Sequence, residues 1–354
     1  MAKHVGDQLE GNLDVVVFSR DRNSHLLNSI EAWKRQPYRF IILHNSKTVI
    51  PEKSLSTNIT YKYLPGMSYG ERAGIAPDYI KSPFATILAD DEMLLESGIE
   101  AMLEDLKSNL QIASIGGKVL GIHKYGKITT GAFAYRNMYD YQNYELDIIN
   151  RLNKHLVEPI NGEMPRASMY RLMRSEILKS ILKLFSKLAF VESPYIYEVA
   201  GEFAVAASGP TSTLRELYWI RNWQNRMIQR KDWDRTLSFT EWWLDERNIK
   251  KKHTIIQVLS NYGKINFNET QKILNQYLER RHRVELSGNR QVSQQRLLLS
   301  RIKQSILVDH NLVERPNDIL GVIQQEDLGQ QNLGKMSIAS LCHDFLGGKR
   351  SVDS

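Results

Sequence analysis

Three acidic residues stand side by side in this chain, Asp90, Asp91 and Glu92, directly after the apolar run FATILA at 84–89. Adjacent carboxylates repel one another, so the placement has a stability cost that a bound cation would offset. Mg2+ or Mn2+ suits hard oxygen ligands and is commonly held by few carboxylates together with a substrate's phosphates. Asp91, Glu92 or both are the candidate metal ligands, with Asp90 beside them. The bland alternative is a solvated acidic turn at the start of the next helix, where carboxylates favour the N-terminal dipole. A second polar cluster, Ser19, Arg20, Asp21 and Arg22, follows the run LDVVVF at 13–18, and His44, Asn45 and Ser46 close a third run. Further on, Glu198 and Glu202 are four residues apart in the apolar setting EVAGEFAVAA, which puts both on one helical face. Partial burial there would raise a carboxylate's pKa toward a value useful to a general base. A helix Glu paired with a nearby Arg is the alternative.

The elements that must position these groups alternate. LDVVVF (13–18), YRFIILHNS (38–46), ITYKYL (59–64) and FATILADDE (84–92) read as strands, and IASIGGKVLGI (112–122) as a further extended segment. Between them, Leu26, Leu27, Ile30 and Trp33 recur at helical spacing, IEAMLEDLKSN (99–109) reads as a helix, and SYGERAGIAPDYIKS (68–82) as a helix broken at Pro77. Strands alternating with helices predict an α/β fold, a mostly parallel sheet covered on both faces. Ligands in such sheets bind at the carboxyl ends of the strands, where Ser19 and Asp90 both fall.

Composition bounds the remaining possibilities. The 354 residues are 42% hydrophobic and 25% charged, which excludes a disordered or membrane-embedded chain. The single cysteine, Cys342, excludes a disulfide framework and Cys-rich zinc sites and favours a reducing, cytoplasmic setting. The first residues, MAKHVGDQLEGNLD, lack the apolar run of a signal peptide, and no stretch reaches the ~20 apolar residues of a bilayer span. The net charge of +7 is uneven: residues 215–303 carry 19 Lys+Arg against nine Asp+Glu, which leaves −3 elsewhere. Such asymmetry points to a polyanionic neighbour, a membrane surface or a nucleic acid. Five of the six tryptophans fall within 219–243, and LRELYWIRNWQNRMIQRKDWDR (214–235) is expected to be a helix with aromatic and cationic residues around its surface. Lys179, Lys183 and Lys187 form one stripe of ILKSILKLFSKLAF (177–190), a basic amphipathic helix of the kind that can lie on anionic membranes, with a plain surface helix as the commoner alternative.

From Leu13 to about Leu95 the chain resembles the nucleotide-sugar-binding half of a GT-A glycosyltransferase, of the large family-two type. VVVFSRDRNSHLLNSI is similar to that family's strand, TYNR-like turn and leucine-bearing helix, with Asp21 and Arg22 in the place of Asn and Arg. FIILHNSK resembles its strand and NGS-like turn, and YGERAGIAPDYIKSPFATILADDE its Gly/Arg/Asn-rich helix start leading into a DxD-type metal motif. MYRLMRSEILKSIL and YEVAGEFAVAASG are similar to segments of a bacterial subgroup associated with surface polysaccharides. The family's ED base motif and QxxRW helix have no clear counterpart.

The resemblance implies a GT-A domain over 1–210, followed by a basic Trp/Arg-rich helical region at 211–310 and a tail at 311–354. It implies a donor site made of Ser19, Arg20, Asp21, Arg22, Asn45, Arg72 and Asp90, in which Asp21 faces the base and Arg72 the phosphates. It implies Mn2+ or Mg2+ at Asp91 and Glu92 to stabilise the departing diphosphate, and Glu198 as base ahead of Glu202 and Glu192. Tyr170, Arg171 and Arg174 are placed to meet an acceptor sugar or the leaving phosphate, or form an ordinary helix entry, the commoner case. The expected function is metal-dependent, inverting sugar transfer from a nucleotide donor to a glycan or lipid-linked acceptor, in the cytoplasm with peripheral membrane contact. Nucleic-acid binding through the Trp/Arg-rich half, and nucleotidyl transfer, are the alternatives.

Overall fold

The structure is a computed structural model that describes residues 11–125, 128–135, 138–158, 167–191, 195–222 and 239–291. Strand β1 (Leu13–Arg20) is central, with β2 (Arg39–Asn45) parallel on one side and β4 (Phe84–Ala89) parallel on the other. β3 (Ile59–Tyr63) extends the parallel set beyond β2. Being covered on both faces, these strands are near-continuous apolar runs, and alternate residues serve two cores. Val15, Val17, Phe40, Ile42 and Leu88 pack with Leu26, Ile30 and Trp33 of helix α1 (Asn23–Trp33). Val16, Ile41, Leu43 and Ile87 face the opposite core, with Ala73 of α2 (Tyr69–Ile75). Pro77 ends α2 as expected: the chain continues as a 3-10 turn, Ala76–Tyr79.

Past β4 the sheet is mixed. With β5 at Met93–Leu94, β6 at Ser114–Tyr125, β8 at Leu172–Arg174 and β9 at Thr211–Asn222, the order is β3-β2-β1-β4-β8-β6-β9-β5, and β7 (Ile128–Ala134) pairs to β6. The two-residue β5 (Met93–Leu94) is antiparallel to β9 (Thr211–Asn222), which runs parallel to β6. Helix α3 (Glu96–Ser108) lies on β9 through Gly98, where an added Cβ would collide with the Leu217 carbonyl and reach Tyr218 Cα at 2.7 Å. Gly98→Ala, normally favourable in a helix by about 1 kcal/mol, is therefore expected to destabilise the fold by ~1–3 kcal/mol. A urea midpoint at or above the wild-type value would show that this contact yields.

Three expectations change here. Residues from Leu214 to Asn222, read as the start of a helix, form β9; Leu217, Tyr218, Trp219 and Ile220 are good strand formers buried by β6 and α3. That strand sits inside the sheet, beyond the boundary drawn at 210, while 223–235 of the same segment lie outside the described residues. The stretch around Tyr170, read as a helix entry, is a 3-10 turn (Ser168–Tyr170) and then β8 (Leu172–Arg174), wedged antiparallel between β4 and β6. Helix α5 (Ser175–Lys187) does follow, but Leu178, Ile181, Leu182, Leu184 and Phe185 of its apolar stripe are all in the core. The face expected to lie on a membrane is covered by protein, and Lys183 and Lys187 remain outward.

The chain then forms α4 (Ile148–Leu152), which precedes β8 and widens into a π turn (Asn153–Val157), α6 (Tyr195–Ser208), α7 (Phe239–Leu244), α8 (Ile249–Gly263) and α9 (Phe267–Gln291). Trp243, Ile255, Leu259, Ile273 and Tyr277 join α5 and α6 in one core, so the helical C-terminal part is packed onto the α2 face of the sheet, opposite α1. The tail at 311–354, with Cys342, lies outside the described residues. Among the described residues no helix is long and apolar enough to cross a membrane.

Candidate active site

The chain runs outward from β1 to β2 and β3, then returns to β4 on the other side of β1. This reversal falls at β1 and β4, and the carboxyl ends of strands at such a reversal are where open α/β sheets bind ligands. Ser19 and Asp90 meet there: Ser19 Oγ donates to Asp90 Oδ2 at 2.7 Å. Arg22 bridges the next two acids, Nη1 to Asp90 Oδ1 at 2.6 Å and Nη2 to Asp91 Oδ2 at 2.7 Å. Helix α1 fixes the backbone of the acidic turn, since Ser29 Oγ donates to the Asp90 carbonyl and Trp33 Nε1 to that of Glu92. Glu92 points inward: it accepts from Trp219 Nε1 at 2.9 Å and faces Arg221 Nε at 3.2 Å.

Burial dominates the electrostatics of this turn. It pushes Asp90 up to about 6, with the Asp91 charge adding and Arg22 and Ser19 opposing. Burial, reinforced by Asp91, pushes Glu92 up to about 8 against the pull of Arg221 and Trp219. Burial alone would lower Arg22, but the charges of Asp90 and Asp91 outweigh it and hold its guanidinium above the ordinary value.

The other residues expected at the donor site divide by exposure. Arg20 and Asp21 are exposed and face each other at 3.6 Å. Asp21 takes a left-handed φ of 52° and donates its N–H to the Asn45 carbonyl, closing the turn onto β2. Asn45 clasps the Pro65–Met67 turn, donating to the Met67 carbonyl at 2.7 Å and accepting from Gly66 N–H at 3.0 Å. Arg72 is buried; its Nη1 donates to the carbonyls of Ser19 and Leu43, both at 2.7 Å, and its guanidinium lies over Phe18. It ties the ends of β1 and β2 together from behind, and burial lowers it to about 10.

Of the segment beyond β4, Arg171 is buried and donates to Ser212 O and Thr213 Oγ1, and Arg174 donates to the last carbonyls of α3. Tyr170 does reach the site. Its ring stacks on Trp219 at 4.7 Å, Tyr135 stacks on Trp219 from farther out, and Arg221 covers both Tyr135 and Trp219. Burial pushes the Tyr170 hydroxyl well up, and the carboxylates of Glu92, Glu198 and Asp91 add to it. Sequence reading missed Trp219 and Arg221 as part of this platform. Their clustering with other Trp and Arg residues was the available signal, but it was read at helical rather than strand period. It also passed over His44, buried at the end of β2 with Nε2 at 3.0 Å from Asn23 Oδ1 and Nδ1 at 2.8 Å from Tyr61.

The two candidate bases separate. The Glu198 side chain is 53% exposed and lies 3.6 Å from Arg281 Nη2. Glu202 is buried, bonded to His155 Nε2 and to the Ser168 N–H, both at 2.9 Å. Burial alone would raise Glu202; the bonds from His155 and Ser168 outweigh it and hold the carboxyl below its ordinary range. Glu192 lies outside the described residues.

The arrangement does not suit a divalent cation at Asp91 and Glu92. Glu92 turns its oxygens to Trp219 and Arg221, and the gap between Asp90 and Asp91 holds a guanidinium. Among the described residues no group of three or more His, Cys, Asp or Glu is placed to hold a metal ion. A groove of about 790 Å³ lies elsewhere, between α7, α8 and α9.

No family model matches this chain. No curated protein matches it either. Among solved structures it is similar to TarS 1-349 of S. aureus, with a TM-score of 0.46 at 10% identity over 76% of this chain and 71% of that chain. The complex of TarS 1-349 with UDP gives 0.43 at 12% identity, covering 76% of this chain and 71% of that one. The complex with UDP-GlcNAc gives 0.42 at 10% identity, covering 79% and 92%. A likeness of this size assigns no residue a role.

Proposed function

We propose that this chain is a GT-A-type glycosyltransferase that moves a sugar from a nucleotide-sugar donor to a glycan or lipid-linked acceptor, in surface-polysaccharide synthesis at the cytoplasmic side of a membrane. The observation that carries the reading is the convergence of Ser19, Arg22, Asp90 and Asp91 at the carboxyl ends of β1 and β4. The donor's nucleotide lies at the strand ends against the Ser19–Arg22 turn. The acceptor hydroxyl attacks the anomeric carbon as the bond to the diphosphate breaks, and its proton passes to Glu198. The exposed Arg20 and the rim of Arg22 supply positive charge to the leaving diphosphate. A single displacement of this kind inverts the anomeric configuration.

The test is thermal unfolding with UDP, GDP, CDP, ADP and dTDP in turn. One of them, at 100 times its Kd, should stabilise the protein by roughly 2.7 kcal/mol, and Arg20→Gln should reduce that shift. No shift with any of the five in folded protein would remove the donor reading. Release of pyrophosphate in place of a nucleoside diphosphate during turnover would replace it with nucleotidyl transfer.

A further inference from the structure

We infer that Arg22 is this chain's own counter-cation for the acidic turn and holds the position that a divalent cation would take between Asp90 and Asp91. Each carboxylate receives its own guanidinium nitrogen, Asp90 Oδ1 from Nη1 at 2.6 Å and Asp91 Oδ2 from Nη2 at 2.7 Å, so one planar fork bridges two side chains. The Arg22 side chain is only 22% exposed, and its partners 3% and 9%. Both halves are held independently of the pair. On the arginine side, the next residue, Asn23, is bonded to His44 and to Thr48. On the carboxylate side, Asp90 is held by Ser19 and, through its carbonyl, by Ser29, while Trp33 holds the Glu92 carbonyl. The third acid has a separate cation, Arg221. Two arginines from β1's turn and from β9 thus do for this triplet what a metal ion does for exposed carboxylates, and a metal can enter only by displacing Arg22.

The experiment measures binding of Mn2+ alone, by loss of the free-ion electron paramagnetic resonance signal, to the wild type, Arg22→Gln and Arg20→Gln. Arg20→Gln removes the same charge two residues away without touching Asp90 or Asp91, so it separates the local bridge from the general field. Arg22→Gln is expected to bind Mn2+ at least about tenfold tighter than both other proteins. Arg22→Met, which keeps the aliphatic stem, takes its place should Arg22→Gln not fold. Equal affinity in all three, absence of binding in all three, or equal gains from both Gln variants would each overturn the inference. No nucleotide is present, so the outcome is independent of whether the donor reading holds.

Discussion

Replacing Glu198 by Gln is expected to lower kcat for sugar transfer by about 10²–10⁴-fold, the usual contribution of a positioned general base, while donor binding stays near the wild-type value. Gln keeps the size and hydrogen-bonding reach of the side chain and removes only the proton acceptor. The position justifies the size of the effect. Glu198 lies in the first turn of α6, half-exposed, and has Arg281 at 3.6 Å to orient it. The measurement is release of nucleoside diphosphate under saturating donor and acceptor, with donor binding followed separately by the thermal shift. Wild-type turnover by Glu198→Gln would show that another group takes the proton.

Glu202→Ala is expected to act on the fold. Its carboxylate sits between His155 Nε2 and the Ser168 N–H, and His155 is bonded in turn to Tyr141, which accepts from Asn143. Removing the acceptor leaves buried donors without partners, a loss of about 3 kcal/mol, or a fall in Tm of roughly 4 °C for a chain of this size. The pH dependence has a definite sign. The folded carboxyl lies below the ordinary value of 4.5, so its stabilisation is fully present above that value and is lost as pH falls through the folded pKa. The Tm difference between wild type and Glu202→Gln should therefore shrink below about pH 4.5. If Glu202→Gln instead abolished transfer at unchanged Tm, the assignments of Glu198 and Glu202 would have to be exchanged.

The parallel half of the sheet was legible because strands buried on both faces need no partner to be recognised. LDVVVF, RFIILHN and FATILA are mostly apolar, each run leads into polar residues, and the helices between them show their spacing. That order alone placed Ser19 and Asp90 at neighbouring strand ends, where the Ser19–Asp90 bond is found. The mixed half was not legible. β8 has three residues and is a strand only through its bonds to β4 and β6. In β9 an aromatic run that fits either period was claimed by β6.

Residue type and order determined by themselves the α/β class, the strand-end location of the acidic turn and the break at Pro77. Tertiary structure decided what each charged group does. Glu198 and Glu202 share a helix at a spacing that nominally puts them on one face, yet one is exposed and the other sealed, because His155 and the Ser168 turn close over only the second. Arg22 and Arg72 both stand beside strand ends, yet one bridges two carboxylates and the other holds backbone carbonyls from within the core. Local sequence sets helix and strand period through the backbone's own geometry. The surroundings that give a charge its partner come from segments far apart in the chain, and only packing brings them together.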